Sequence, residues 1–419
     1  MTNQIKIDFE KVIKNLKLSK KNIDLRKKNL SKFVNLGFPN KREEDWKFSD
    51  LNQIISSNIK ELKFFDKELF NNKKEDPSFV DPLIITLFKH NKIILVNGIL
   101  NKVSFEHEDI KKIEVIDKAE YEFFSTKNSL INLNHAFANS YLKITIKKNY
   151  KLNKPLIVYN ITNTKISSTS INQKLDIVLE DNSKLKLINL FDDFSSNNFI
   201  NINHEFKVGK GAILKNYKID AKNNLNIKYF YNNIELDENS LVENFILSSG
   251  SKFIKNEINC NLKKEYSSVF VSGIINTKNS QHHEIKTNIN HLAKNTKSYQ
   301  LVKSVLNENS KGIFQGKIFV DQKAQKTNGY QLSKALLLNE NAEFDAKPEL
   351  EIYADDVKCS HGSTSGCLDE NSIFYLMSRG LNQQEAKKLL INGFLIDAIE
   401  KITDVEIKRL IKKYIGITE

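Results

Sequence analysis

Two soft metal ligands stand one residue apart in Val357-Lys358-Cys359-Ser360-His361-Gly362, at the end of an alternating run that begins at Lys347. Side chains of a strand project with period two, so Val357, Cys359 and His361 share one face and the thiol and imidazole point the same way. A thiolate beside an imidazole suits iron, zinc or an iron–sulfur cluster. Taken alone, the pair fits equally a buried thiol next to a hydrogen-bonded histidine. In this reading the strand stops at Gly362. Gly362 and Gly366 leave the direction of a further thiol, Cys367, unread. His283 and His291 are additional metal candidates, near His282 and Glu284; they share a strand face only if no turn intervenes. Their spacing fails the i, i+4 rule of a helical zinc site.

Two stretches imitate catalytic loops. Gly312-Ile313-Phe314-Gln315-Gly316-Lys317 evokes a phosphate loop, which needs four residues between its glycines and a hydroxyl after the lysine. Here three intervene and Ile318 follows, which argues against nucleotide binding. Gly362-Ser363-Thr364-Ser365-Gly366 has the glycines of a nucleophile elbow but threonine at its centre and no strand–helix alternation around it. It reads as a flexible turn after the ligand strand.

The elements that must position these residues change character twice. Residues 1–78 read as a helical domain: Phe9, Val12, Ile13 and Leu16 recur at helical spacing, and Leu30, Phe33 and Val34 follow before Gly37 and Pro39. Trp46, the only tryptophan, reads as its apolar anchor. Residues 79–365 read as short alternating strands. Leu83 to Leu100 reads as two strands about a turn, because Lys89, His90, Asn91 and Lys92 interrupt it and forbid a bilayer span. Turn-like pentads begin at Leu179, Val208, Leu236, Leu262, Leu292, Leu306 and Leu338. A period near 30, broken once by an interval of 14, fits a solenoid of about ten coils and leaves a sandwich or barrel as alternatives. Residues 366–419 turn helical again. Asp369 to Ser378 is closed by Gly380, while Asn382 with Glu385 and Thr403 with Glu406 mark two further helix starts. Leu389, Leu390, Phe394, Leu395, Ala398 and Ile399 form an apolar stripe that suits either internal core or a partner surface.

At 419 residues with 40% hydrophobic composition, the chain can bury a sizeable core in two or three domains. Its net charge is +13, yet of 64 basic residues only Arg26, Arg42, Arg379 and Arg409 are arginine. Bidentate recognition of phosphates and bases leans on arginine, so the charge reads as a solvated surface and no nucleic-acid partner is expected. Three cysteines, Cys260, Cys359 and Cys367, argue for a reducing compartment over a disulfide framework. The first ten residues carry early acids and no signal-length apolar core. A cytoplasmic protein with no membrane contact is expected.

Beyond Cys359 and His361, the whole segment Lys347-Pro348-Glu349-Leu350-Glu351-Ile352-Tyr353-Ala354-Asp355-Asp356-Val357-Lys358-Cys359-Ser360-His361-Gly362 resembles the signature of the SufD family, subunits of the SUF iron–sulfur cluster assembly machinery. The resemblance extends upstream through Ser310-Lys311-Gly312 to Ile318, Ala324 to Asn328 with Gln331, and His283, Thr287, His291, Ser298 and Gln300. It includes Gly37-Phe38-Pro39 and Glu44 to Ser49 near the N-terminus, and Leu368-Asp369-Glu370 to Gly380 downstream. The paralogous SufB subunits share the fold but lack the Cys-Ser-His-Gly strand. Ser363, Cys367 and Lys294-Asn295 depart from the family pattern without removing a residue given a role here.

The resemblance implies a mainly β chain, a right-handed parallel β-helix flanked by N- and C-terminal α-helical domains. It implies a non-catalytic scaffold that forms a heterodimer with a SufB-like subunit through the β-helix, or a homodimer when alone. A SufC-like ATPase docks on the C-terminal helices, for which Phe374, Leu390, Phe394, Leu395 and Ile399 are the candidate contacts. Cys359 and His361 would hold iron or a nascent iron–sulfur cluster at the subunit interface, with nothing tightly bound by the isolated chain. The rival readings are a β-helix enzyme acting on carbohydrate and a stand-alone metal-binding adaptor. The scattered acids and missing export signal speak against the enzyme.

Overall fold

The computed structural model describes residues 2–70, 77–106 and 108–417. In chain order its helices are α1 (Thr2–Asn15), α2 (Lys20–Leu36), α3 (Leu51–Asn58), the single turn α4 (Pro77–Val80), α5 (Ser129–Phe137), α6 (Glu370–Ser378), α7 (Gln383–Ile399) and α8 (Val405–Tyr414). The strands begin with β1 (Asn91–Val96), β2 (Ile99–Ser104), β3 (Ile113–Lys118), β4 (Tyr141–Ile146), β5 (Leu156–Thr162), β6 (Ser170–Leu179), β7 (Lys184–Asp193), β8 (Phe199–Val208), β9 (Ile213–Asp220) and β10 (Ile227–Leu236). They continue with β11 (Leu241–Ser248), β12 (Phe253–Leu262), β13 (Ser268–Thr277), β14 (His282–His291), β15 (Lys297–Leu306), β16 (Lys311–Val320), β17 (Thr327–Leu337), β18 (Glu343–Ile352) and β19 (Val357–Cys367).

From β4 onward the chain alternates between two sheets, even strands in one and odd strands in the other, each parallel to the strand one coil away; β3 closes the even sheet antiparallel to β4. Along the even sheet, Ser170 pairs with Phe199, Phe199 with Ile227, Ile227 with Phe253, Phe253 with His282, His282 with Lys311 and Lys311 with Glu343. Each coil therefore consumes 26 to 32 residues, and the fold is a parallel β-solenoid of about eight turns, not ten. At the strand spacing this stack is about 38 Å long. Leucine, isoleucine, valine and phenylalanine from both inner faces close the core between the sheets, Leu175, Ile177, Leu185, Leu187, Leu214 and Phe206 among them.

The interval of 14 that broke the sequence period has a simple geometric origin. The pentads from Leu179 to Leu292 lie where even strands pass to odd ones; those at Leu306 and Leu338 lie where odd strands pass to even ones, half a coil away. In the first stack the residues Asn149, Asn182, Gly211, Asn239, Tyr266, Asn295 and Lys326 all have φ between 55° and 65°. Their amides donate up the stack, Asn182 to the carbonyl of Lys210, Gly211 to Glu238 and Asn239 to Glu265. Asparagine tolerates this left-handed backbone better than most residues, and it fills four of these seven positions.

Three local readings need correction. The hairpin in Leu83 to Leu100 turns at Asn97-Gly98, with φ of 51° and 81°, and pairs β1 with β2; residues 89–90 precede the first strand. This Asn-Gly pair is the favoured two-residue hairpin turn. α5 interrupts the β region: all nine of its residues are buried, which erases the one-sided pattern by which a helix is read, and Asn128 caps it by accepting from the amides of Leu130 and Ile131. The last helix is capped by Asp404, whose carboxylate accepts from the Ile407 amide, while Thr403 bonds Glu243 instead. The box of Asn382 and Glu385 is present at α7.

Both outer faces are covered. Helices α1 and α2, the segment around Trp46 and α5 pack on the even sheet through Phe9, Phe33, Phe38, Trp46, Phe199 and Tyr229. Trp46 is 3% exposed, with Lys255 Nζ 4.2 Å above its ring. α7 and α8 lie on the odd sheet, where Leu395, Ile399, Ile407 and Ile411 meet Tyr217, Phe245 and Ile274. Among the described residues no helix is long and apolar enough to cross a membrane.

Candidate functional site

The stretch from Lys347 to Gly362 is two strands, not one. β18 ends at Ile352, a turn of four residues follows, and β19 begins at Val357. These are the terminal strands of their sheets: β18 pairs with β16 and β19 with β17, and the far edge of each carries no partner among the described residues. Nor does β19 stop at glycine. Gly362 to Gly366 stay in register against Leu332 to Leu336, so the expected flexible turn is extended strand. Gly312 to Lys317 is likewise interior to β16, which leaves no loop to wrap a phosphate.

Within β19, Val357 and Cys359 face inward, against Ile318, Val320, Ala324 and Ala354. Cys359 is half-buried and rests over Gly329, its register partner, where a Cβ would come within 3.4 Å of the thiol. Burial pushes the Cys359 thiol above its ordinary pKa, partly offset by a hydrogen bond from the Gly329 backbone. The sulfur thus remains a thiol in the free chain until a cation or proton acceptor arrives. His361 shares the parity of Cys359, lies on this last coil and is exposed. No described residue hydrogen-bonds its ring. Two residues of strand separate the donors, about 7 Å.

Cys367 has the same parity but stands eight residues farther along the strand, about 26 Å from Cys359. It is exposed and lines a groove of about 700 Å³ with Leu338, Ile373, Phe374 and Met377. It cannot join a ligand set with Cys359 within this chain.

His283 and His291 are also removed from that set. Both are fully buried inside the solenoid. His283 has its nitrogens on Ser248 Oγ at 3.1 Å and the Ser251 carbonyl at 2.7 Å; His291 has Thr296 Oγ1 at 2.7 Å and Ser298 Oγ at 2.8 Å. Burial lowers each pKa to about 4, so both are neutral and fully engaged. Among the described residues no group of three or more histidine, cysteine or acidic side chains could hold a metal ion. Cys359 and His361 therefore form an incomplete donor pair at an open edge.

The apolar candidates on the C-terminal helices separate by burial. Leu395 and Ile399, at 2% and 0% exposure, belong to the core under α7 and present nothing to a partner. Phe394 is partly covered, its carbonyl held by Lys303 Nζ at 2.7 Å, and Leu390 is half-buried. Phe374 is 73% exposed, next to Tyr375 and Met377 on α6.

Buried charged groups, within the solenoid and under its N-terminal cover, went unread in the sequence. Lys228, with no exposed surface, bonds Asp220 at 2.7 Å and Asp193, both buried. Lys255 pairs with buried Glu284 at 2.5 Å beneath Trp46. Asp220 is eight residues from Lys228, but Asp193 and Lys228, like Lys255 and Glu284, are about a coil apart, and no short-range pattern links them.

The model of the SUF system FeS cluster assembly SufBD core domain matches residues 160–394. The chain is 26% identical over 395 residues, 92% of its own length and 90% of the relative's, to the iron–sulfur cluster assembly protein SufD of Escherichia coli (strain K12). It is 48% identical over 67 residues to an iron–sulfur cluster assembly SufBD family protein of Synechocystis, covering 16% of this chain and 15% of that one. Over 74 residues it is 39% identical to SufD of Bacillus subtilis, 18% and 17% of the two chains.

Proposed function

The chain belongs to the SufBD family of the SUF iron–sulfur cluster assembly system, and from that premise we propose that it is a non-catalytic scaffold which joins a SufB-like solenoid edge to edge and shares a nascent cluster with it. The observation that carries this reading is the coincidence of two features at one place: the terminal strands β18 and β19 leave both sheets uncovered, and the incomplete pair Cys359 and His361 sits on that last coil. Unpaired strand edges template further strands, and a second solenoid satisfies both edges at once. Its own donors would complete the coordination that a cysteine and a histidine leave open.

In this reading the thiol and imidazole hold iron or sulfide as cargo, and two donors without a third among the described residues keep the free chain from binding metal tightly. A SufC-like ATPase docks on α6, through Phe374 and its neighbours, and its motion reaches the edge because the helices are anchored on the odd sheet by Lys303 to Asp397 at 2.5 Å and by Lys186 to Asp404. The working compartment is the cytoplasm, where thiols stay reduced.

Reconstitution with a SufB-like and a SufC-like subunit tests the reading. His361→Ala should fold and assemble as the parent chain does, yet reduce cluster absorbance several-fold. Cluster formation at the parental level would refute the role of His361, and failure of the three chains to copurify would refute the scaffold.

A further inference from the structure

Beneath the candidate ligands runs a column of carboxamides. In strand register Gln300 of β15 lies beside Gln331 of β17, and Gln331 beside His361 of β19. Both glutamines are fully buried. The Thr287 hydroxyl donates to Gln300 Oε1, which leaves Gln300 Nε2 without a partner. Gln331 reaches across the interior and touches the last coil from below: its Nε2 lies 3.4 Å from the Glu349 carbonyl of β18. Its Oε1 has no partner and lies against Gly316, where a Cβ would overlap that oxygen.

The carboxamide is thus buried, loosely held by one long hydrogen bond, and placed one coil below half-buried Cys359 and exposed His361. Around Cys359 the interior is otherwise aliphatic, Ile318, Val320 and Ala354 among its neighbours. Anionic sulfur brought into such surroundings needs hydrogen-bond donors, and N–H groups aimed at cluster sulfur also tune its reduction potential. We propose that Gln331 is a further cargo-binding residue, the floor of the site, whose carboxamide N–H donates to sulfide or thiolate sulfur held at Cys359 and His361. The inference rests on the reading of that pair as the cargo site.

The test uses Gln331→Met, which keeps side-chain length, removes the donor and also removes an unpartnered buried oxygen. The full-length variant is reconstituted with its partner subunits, and unfolding midpoint, cluster absorbance and reduction potential are compared with the parent. Expected are an unchanged or higher unfolding midpoint, a several-fold smaller cluster yield and a more negative potential for whatever cluster forms. Unchanged yield and potential would overturn the proposal, and so would a yield that falls only together with the unfolding midpoint, which would make Gln331 a packing residue. His361→Ala separates the two readings. If that variant builds clusters normally, the site itself is elsewhere; if it fails while Gln331→Met matches the parent in yield and potential, only the role of Gln331 is lost.

Discussion

Two of the candidate ATPase contacts should behave in opposite ways, because the fold buries one and displays the other. Phe374 on α6 is 73% exposed, whereas Leu395 on α7 is 2% exposed. Burying a phenylalanine side chain stabilises by roughly 1.5–3 kcal/mol, so covering the exposed share of Phe374 is worth about 1–2 kcal/mol. Phe374→Ala should therefore weaken binding of the SufC-like ATPase about 5- to 30-fold. As a surface change it should move stability by less than about 0.5 kcal/mol. Leu395→Ala leaves a cavity between α7 and the odd sheet and should cost about 2–5 kcal/mol of C-terminal stability. Titration calorimetry against the purified ATPase gives the first quantity, and urea unfolding with hydrogen exchange over residues 383–414 gives the second. Undiminished binding by Phe374→Ala, or weakened binding by Leu395→Ala with unchanged exchange, would refute the assignment of surface and core.

Acid should destabilise the solenoid well above the carboxylate range. His283 and His291 are depressed from 6.5 to about 4 by burial, so their stabilising effect is complete above pH 6.5 and is lost as pH falls from 6.5 to 4. Each contributes a slope of roughly 1.4 kcal/mol per pH unit in that window; urea unfolding that is flat between pH 7 and 5 would contradict their neutral, buried state. Lys228→Met strips the cation from buried Asp193 and Asp220 and should cost about 3–5 kcal/mol, read as a lower unfolding midpoint. Asn239 holds φ of 55° in the turn stack. Asn239→Ala should cost about 1 kcal/mol and Asn239→Gly much less, and equal costs would show that backbone handedness is not what asparagine provides there.

How much was legible in the sequence depended on the range over which each signal acts. The parity of Cys359 and His361, the strands of the solenoid, the capping box at Asn382 and the burial of Trp46 are consequences of residue type and local spacing, and they stand in the structure as read. The helix from Ser129 to Phe137 was hidden because a segment buried on every side has no amphipathic period. The half-coil step at Leu306 looked like an error in the repeat because one-dimensional spacing does not distinguish two stacks of turns.

The amino-acid order by itself determined that a thiol and an imidazole would project together from an alternating strand, since pleating is a property of the backbone. Only the folded chain decided that this strand would be the last of its sheet, that Gln331 and Gly329 would lie beneath the pair, and that His283 and His291 would be enclosed far from solvent. Those outcomes follow from stacking coils some 30 residues apart, where position along the solenoid axis, and not proximity in the chain, sets which side chains meet.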